Sequence, residues 1–271
     1  MPEETNSENP IQSTATAIAT LAREVPIYDD AIQPSARSLG RGLGGILTWI
    51  MQPFIMLGIK AQHNIDRFEE EYAERIRDTP PEKLEAPDPT ISGPALQALS
   101  YTIHQDELRR MFVNLLASAS NVDTRNDTHP AFVEIIRQLT QDEAKLLRHL
   151  ASSSKTVMPA VSISRSAEGG GQVNIKEVWS PLALDASCEF PDKVETYLNN
   201  IARLGLIAID MTRHLTAPGV YEKLMERIRV EGETIELVAL GETRPPGTLV
   251  AARGLFFVTE FGREFMRACV I

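Results

Sequence analysis

Three glycines near the start of the chain, Gly40, Gly42 and Gly45, satisfy the G-x-G-x-x-G spacing of dinucleotide-binding loops. That spacing serves pyrophosphate binding only when a strand leads into it and a helix N-terminus follows. The preceding residues, QPSARSL, do not have the pattern of a strand, and no βαβ unit surrounds them. We therefore interpret these glycines as a point of flexibility or of close helix packing, and predict no nucleotide cofactor.

Residues that commonly perform acid–base, nucleophilic or metal chemistry are scattered along the chain. None of the five histidines pairs with another at the spacing of metal ligands, and no G-x-S-x-G motif marks a serine nucleophile. Cys188 and Cys269 lie far apart outside any CxxC pattern, which suits reduced thiols in the cytoplasm. The sequence therefore predicts no catalytic residue, no metal site and no cofactor, and indicates a protein that is not an enzyme.

A helix predicted over residues 191–204 is the candidate for binding a partner. Its apolar side chains recur at helical spacing and define a buried side. The exposed stripe carries Lys193, Thr196, Asn200 and Arg203. Asp192 and Glu195 lie among these residues and would repel phosphate, so a structural role or docking on a protein is favoured and nucleic-acid binding is the alternative.

The most apolar stretch is Gly42–Ile59, in which Thr48 and Gln52 are the only polar side chains. Its length lies near the lower limit for crossing a bilayer, but Pro53 and the glycines weaken that interpretation. We favour a helix buried in the protein or in an oligomer interface, with membrane insertion as the alternative. In either case the segment would act through large apolar side chains such as Trp49, Phe54 and Leu57.

The elements around these candidates divide the chain into three regions. Residues 1–35 are predicted to be a flexible region with short helices. Residues 36–130 have helical periodicity, interrupted by a proline-rich connector at 78–94 and by a break between two helices near residues 104–106. Residues 131–271 mix helices and strands. A capping box formed by Thr140 and Glu143 opens one helix, and the strand patterns on both sides of the glycines at 169–171 predict a hairpin. The predicted fold is mainly α with a smaller α+β part.

The order of elements within 131–271 matches the course of a winged helix. A capped helix is followed by the helix that ends at Leu204-Gly205-Leu206, and then by a β-hairpin of residues 234–240 and 249–258. The sequence thus predicts a helical N-terminal half followed by a winged-helix-like C-terminal domain. The net charge of −10 supplies no general attraction to nucleic acid, so any such binding would need a local basic face.

Four phrases of the sequence resemble one known family. They are ISGPALQALSYTIHQDELRRMFVNLLASASN (91–121), HPAFVEIIRQLTQDEAKLLRHL (129–150), NIARLGLI (200–207) and FVTEFGREFMRAC (257–269). Together they resemble the bacterial abortive-infection alpha family over roughly residues 36–271. The resemblance implies a part in phage defence, and it brings no catalytic mechanism, ligand or active-site residues.

From the residues and the resemblance together we expect a non-catalytic, cytoplasmic component of an abortive-infection system. It would act through a protein partner or through self-association. Two alternatives stay open: a membrane-active effector that uses residues 42–59, and a winged-helix regulator that binds DNA.

Overall fold

The computed structural model describes residues 62–153, 155–228, 235–239, 242 and 244–271. About half of these residues are helical, and five strands among them form a curled, mainly antiparallel sheet, so the fold is mixed α and β. They belong to one compact unit of the chain. The glycine motif at 40–45, the apolar segment with Trp49, Phe54 and Leu57, and the predicted flexible region at 1–35 lie outside the described residues.

Nine α-helices and three short 3-10 turns occur in the described ranges. The helices are α1 (Gln62–Ile76), α2 (Pro89–Thr102), α3 (Asp106–Ser120), α4 (Ala131–Arg137), α5 (Gln141–Ser152), α6 (Leu182–Asp185), α7 (Val194–Arg203), α8 (Val220–Met225) and α9 (Glu260–Cys269). The 3-10 turns are Pro81–Lys83, Arg125–Asp127 and Pro191–Lys193. Within the same ranges no helix combines the length and the apolar character needed to cross a membrane.

The proline-rich connector is shorter than the predicted 78–94, because α2 already begins at Pro89. The Asp88 carboxylate caps this helix by accepting a hydrogen bond of 2.8 Å from the Thr90 N–H, and Pro89 occupies the first turn, where a missing N–H is harmless. Pro94 therefore lies inside the helix, one turn after its start. The predicted break between two helices near residues 104–106 is confirmed, since α2 ends at Thr102 and α3 begins at Asp106.

Helix α3 is the central element of the helical layer. It contacts α1, α2, α4, α5 and α9, and its buried apolar residues include Leu108, Met111, Phe112, Leu115 and Leu116. Arg109 on the same helix is completely buried and forms a bidentate pair with Glu71 of α1, with N–O distances of 2.8 and 3.0 Å. Helix α3 is thus surrounded by other helices on most of its circumference.

Five strands form one sheet, with the order β2-β1-β5-β3 and β4 beside β5. The strands are β1 (Val157–Ser166), β2 (Gln172–Trp179), β3 (Ile207–Asp210), β4 (Ile235–Val238) and β5 (Leu249–Val258). The predicted hairpin around the glycines at 169–171 is the β1–β2 pair. Central strand β5 pairs along its whole length with β1, and its second side is shared by β4 and β3.

The predicted β-hairpin of residues 234–240 and 249–258 is wrong. Both segments are strands, but β4 runs parallel to β5, with Ile235 opposite Leu249 and Val238 opposite Ala252. The antiparallel partners of β5 are β1 and β3, which come from earlier in the chain. A turn motif such as Pro245-Pro246-Gly247 marks a reversal of the chain, but it does not specify which strands become neighbours.

Alternate side chains of β1 and β5 point to the same side of the sheet. Residues 157, 159, 161 and 163 of β1 lie opposite residues 257, 255, 253 and 251 of β5, and directly opposed residues share a face. Val161, Ile163 and Ala251 are buried on this face under Tyr221 and Leu224 of α8 and the nearby Ile228. Helix α8 therefore covers one half of this sheet face.

Candidate interaction site

The four residues of the predicted stripe on α7 differ in their surroundings. Lys193 and Thr196 are exposed, and the Lys193 ammonium lies 4.9 Å from the centre of the Phe190 ring. Asn200 donates hydrogen bonds to the Gln138 carbonyl and to the Glu143 carboxylate, at 3.1 and 2.8 Å. Arg203 donates to the Gln138 side chain at 3.0 Å. Lys193 and Thr196 are therefore available at the surface, whereas Asn200 and Arg203 attach α7 to the residues around the start of α5.

The start of α5 is held by the capping box that the sequence predicts. The Thr140 hydroxyl accepts from the Glu143 N–H, and the Glu143 carboxylate accepts from the Thr140 N–H. The second oxygen of Glu143 is the one that binds Asn200. A single carboxylate thus caps α5 and also fixes the position of α7 against it.

Asp142, next to Glu143, is a buried carboxylate with four hydrogen-bond donors. They are the backbone N–H groups of Glu189 and Phe190, the Tyr197 hydroxyl and the Lys145 ammonium, all within 3.0 Å. Burial by itself raises the pKa of Asp142, but these hydrogen bonds together outweigh it and lower the pKa to about 2. The ionised side chain therefore joins α5, α7 and the turn between α6 and α7.

The two thiols do not have the properties of nucleophiles. Burial, with the negative charge of Asp142, raises the pKa of Cys188 to about 11, and burial also raises the pKa of Cys269. A nucleophilic cysteine needs a lowered pKa and an electropositive setting. No group of three or more histidine, cysteine, aspartate or glutamate side chains suited to a metal ion occurs in the part of the chain that the structure describes.

A cleft of about 550 Å³ lies beside α8. It lies on the sheet face that α8 covers only in part, beyond the buried cluster of Val161, Ile163 and Ala251. Val157 and Pro159 of β1 form its floor. Val157 is 36% exposed, although it belongs to the same face as the fully buried Val161. The difference arises because α8 packs over Val161 but does not extend over Val157.

One wall of the cleft is the segment that leads into α8, with Leu215, Pro218, Val220 and Leu224 toward the cleft. The Tyr221 hydroxyl holds this wall in place. It donates to the Gly254 carbonyl at 2.7 Å and accepts from the Leu215 N–H at 3.0 Å. The wall is thus tied to β5 by a buried hydrogen-bond bridge.

Two adjoining hollows extend the cleft along the sheet. One of about 330 Å³ shares Val157 and adds Leu255 and Phe257 of β5, and the other, of about 260 Å³, shares Pro159. Phe257 lies beside Val157 on the same face, as their pairing requires. The three hollows together form an elongated apolar groove, which we call the sheet-face cleft.

Among the residues that the structure describes, five cations surround the sheet-face cleft. They are Lys155, Arg213, Lys223, Arg227 and Arg263. The three arginines pair with Asp210, Asp185 and Glu260 respectively. Among the described residues no carboxylate pairs with Lys155 or Lys223, and both lysines are exposed. The rim therefore has two cationic groups that are available to a ligand.

The sheet-face cleft combines apolar and cationic contacts. Its floor and wall offer apolar contact, and its rim offers two ammonium groups to a negative charge. None of its residues stands out in the amino-acid sequence as a candidate for binding. The alternation of Val157, Pro159 and Val161 indicates a common face, but only the pairing with β5 and the position of α8 determine which part of that face is uncovered.

A second hollow, of about 250 Å³, lies between α1, α3, α5 and the C-terminus. Its floor includes Met111 and Val270. The charges at its edge are used within the protein, since Arg148 pairs with Glu107 at 2.6 Å and Arg75 donates to the Ile271 carbonyl. The sheet-face cleft is therefore the better candidate for a binding site.

The fold and the site define a mixed α and β protein with an apolar, cation-rimmed binding cleft. The family model of abortive infection alpha matches residues 60–269, which is more than three quarters of the chain. The chain therefore belongs to the abortive infection alpha family, as the sequence phrases indicated.

The other comparisons add little to this assignment. A solved structure described as an uncharacterized protein from the hydrocarbon-degrading marine bacterium Alcanivorax borkumensis SK2 is similar to part of the chain. The similarity covers 49% of this chain and 88% of that one, with 17% sequence identity and a TM-score of 0.30. At that TM-score it supports no inference about fold or function. The comparison with curated proteins finds no match.

Proposed function

We propose that this protein is a non-catalytic, cytoplasmic component of an abortive-infection system and takes part in defence against phage. The observation that carries the proposal is the family match over residues 60–269. The sheet-face cleft supports a role in binding a protein partner, because it offers an apolar floor beside unpaired cations. The exposed half of the α7 stripe, Lys193 and Thr196, is a second surface available for interaction or self-association.

Phage challenge of cells that express the gene tests this function. We expect cultures to survive at a low ratio of phage to cells and to collapse at a high ratio, because abortive defence sacrifices infected cells. The matched control is the same gene with an early stop codon, which should give no survival at either ratio. Equal phage yield from both strains across a broad phage panel would contradict the proposal.

A winged-helix regulator that binds DNA is the second candidate. In the chain, α5 precedes β1, and α6 and α7 precede β3. In the sheet, β5 lies between β1 and β3. This arrangement supports a winged helix. The parallel strand β4 and the acidic residues Asp192 and Glu195 near α7 argue against a DNA surface there. We therefore rank it below protein binding.

DNA binding would depend steeply on salt, because it releases counterions from phosphates. Under the regulator hypothesis Lys193→Ala should weaken binding to duplex DNA at low salt and reduce the salt dependence. Lys193 is the better substitution than Arg203, because Arg203 is hydrogen-bonded to Gln138 and its loss would also loosen α7. Absence of any affinity for duplex DNA at low salt would remove this candidate.

A further inference from the structure

The sheet-face cleft lies beside α8, on the sheet face that this helix covers in part. Helix α8 packs Tyr221 and Leu224 onto Val161, Ile163 and Ala251. Along the same face, Val157 and Phe257 lie side by side beyond α8. Val157 is 36% exposed, and the Arg213 guanidinium lies 5.5 Å from the centre of the Phe257 ring. An apolar partner segment on this surface would extend the layer of α8 and bury the remaining half of the face.

The charge around this open half is positive, although the chain as a whole has a net charge of −10. Lys155 and Lys223 are exposed and have no ion-pair partner among the described residues, whereas the three rim arginines are each neutralised by a carboxylate. A local cationic rim on an acidic protein favours ligands that carry negative charge.

We propose that the sheet-face cleft binds a segment of a partner protein in which apolar side chains alternate with carboxylates. The apolar side chains would pack on Val157, Pro159 and Phe257, and the carboxylates would pair with Lys155 and Lys223. This inference rests on the proposed function, since it specifies the partner through which the defence component acts.

The shape and the charges favour a peptide over other anionic ligands. The three joined hollows extend along the sheet, which suits an extended or helical segment better than a compact small molecule. A nucleic acid would place phosphates close to the carboxylates of Asp185 and Asp210, which already neutralise two rim arginines. Among the described residues, the rings that line the three hollows are those of Phe257 and His149, which are too few for stacking successive bases.

Selection of binders from a library of random peptides, each about 15 residues long, tests the proposal with the full-length protein. We expect enrichment of sequences rich in Leu or Phe together with Asp or Glu. Fluorescence anisotropy of the best peptide should then show at least about tenfold weaker binding to the Lys155→Glu/Lys223→Glu variant and to Val157→Asp. Enriched peptides without acidic residues, or no enrichment at all, would overturn the proposal.

The matched control is Arg77→Glu/Arg137→Glu, which changes the net charge equally at exposed positions just after α1 and in α4, neither of which lines the cleft. It should bind the peptide as the wild type does. Equal loss of affinity in this control would mean that net charge, and not the cleft, attracts the peptide. A single-stranded oligonucleotide that binds the wild type but not the Lys155→Glu/Lys223→Glu variant would assign the cleft to nucleic acid instead.

The phage challenge separates this inference from the proposed function. Suppose that the wild type protects cells, that the Lys155→Glu/Lys223→Glu variant does not, and that circular dichroism shows the variant to be folded. The defence function and the cleft proposal are then both supported. If the folded variant protects as well as the wild type, the defence function stands and the cleft proposal fails. If the wild type itself does not protect, the proposed function fails, while peptide binding still decides the chemistry of the cleft.

Discussion

At the scale of single residues, Asp142 illustrates how a buried charge organises a fold. Its carboxylate accepts hydrogen bonds from Glu189, Phe190, Tyr197 and Lys145, which belong to three separate parts of the chain. A buried carboxylate that lacked these donors would be strongly unfavourable. The arrangement therefore stabilises the junction of α5, α7 and the intervening turn only while Asp142 is ionised.

We expect Asp142→Asn to destabilise the protein in a manner that depends on pH. Because the folded-state pKa of about 2 lies below the ordinary value of 3.8, ionised Asp142 contributes stability that is fully present at neutral pH. That contribution is lost as the pH falls through about 4 toward 2. Urea unfolding should show the variant to be less stable by roughly 2 kcal/mol at neutral pH, with a difference that shrinks on acidification.

Glu134→Gln is the control for this titration, because Glu134 is exposed and pairs only with Arg137 on its own helix. Such surface pairs contribute little, so the variant should differ from the wild type by less than about 0.5 kcal/mol at every pH. A difference between Asp142→Asn and the wild type that is unchanged from neutral pH to the acid limit of folding would refute the assignment.

Gly262 lies in α9 where the helix approaches the backbone of Leu206. A Cβ atom at this position would lie 2.0 Å from the Leu206 carbonyl oxygen, so one of the two backbones must move. We expect Gly262→Ala to destabilise the protein by about 3 kcal/mol or more, measured by urea unfolding. Arg267→Ala, at an exposed position of the same helix, is the matched control and should change the free energy of unfolding by less than about 0.5 kcal/mol.

At the scale of elements, the attachment of α1 to α3 depends on Arg109. Its guanidinium is completely buried, pairs with both oxygens of Glu71, and also donates to the Ile103 carbonyl at 2.9 Å and to Asp106 at 2.8 Å. Removing one member of a buried pair leaves the other charge without compensation. The pair therefore specifies where α1 lies along α3.

We expect Arg109→Met to lower the free energy of unfolding by about 3–5 kcal/mol, because Glu71 and the Ile103 carbonyl lose their donors. Arg110→Met, at the neighbouring exposed position, should change it by less than about 1 kcal/mol, since its contact with Glu107 spans 3.9 Å at the surface. Chemical denaturation of both variants measures the contrast. Equal effects of the two substitutions would show that the buried pair does not determine the packing of α1.

Helix α7 offers a second comparison between attachment and exposed surface. Asn200 donates to Gln138 and Glu143, whereas Thr196 on the same helix is exposed. We expect Asn200→Ala to cost about 1–2 kcal/mol of stability, because Glu143 and the Gln138 carbonyl lose a donor. Thr196→Ala should be within about 0.5 kcal/mol of the wild type. Thermal unfolding of the two variants would distinguish a structural from a surface role.

At the scale of the whole molecule, the helical layer and the C-terminal helix form a continuous core. Asn114 donates to the Cys269 carbonyl and Ser118 to the Ala268 carbonyl, both at 3.1 Å, so α3 and α9 are joined by hydrogen bonds across 150 residues of sequence. Ala268 and Cys269 are buried in this contact. The division at residue 130 stays a prediction about domains, but the elements on its two sides pack directly together.

We therefore expect one cooperative unfolding transition for the described residues. In a Trp49→Phe variant, Trp179 is the remaining tryptophan, and it packs against the buried cluster between the sheet and α8. Its fluorescence should change at the same urea concentration as the far-ultraviolet circular dichroism of the helices. Two separated transitions would instead support independent domains at 36–130 and 131–271.

Much of the local structure could be predicted because its determinants are close in sequence. The Thr140–Glu143 capping box, the glycine at 205 with a φ of 79°, and the Thr259 cap of α9 all act over a few residues. The parallel direction of β4 could not be predicted, since it depends on β1 and β3 already occupying β5. The sheet-face cleft was missed for a related reason: no local pattern distinguishes the buried Val161 from the exposed Val157.

The sequence by itself determined the family, the helical periodicities, the helix caps and the β1–β2 hairpin, because these depend on residue identity and short spacing. Only the tertiary structure decided which polar and charged side chains make internal contacts and which are available to a partner. It assigned Asn200, Arg203, Arg109 and Asp142 to internal contacts, and left Lys155 and Lys223 at the edge of an apolar face. The physical reason is that burial and ion pairing depend on neighbours brought from distant parts of the chain, which one-dimensional periodicity does not contain.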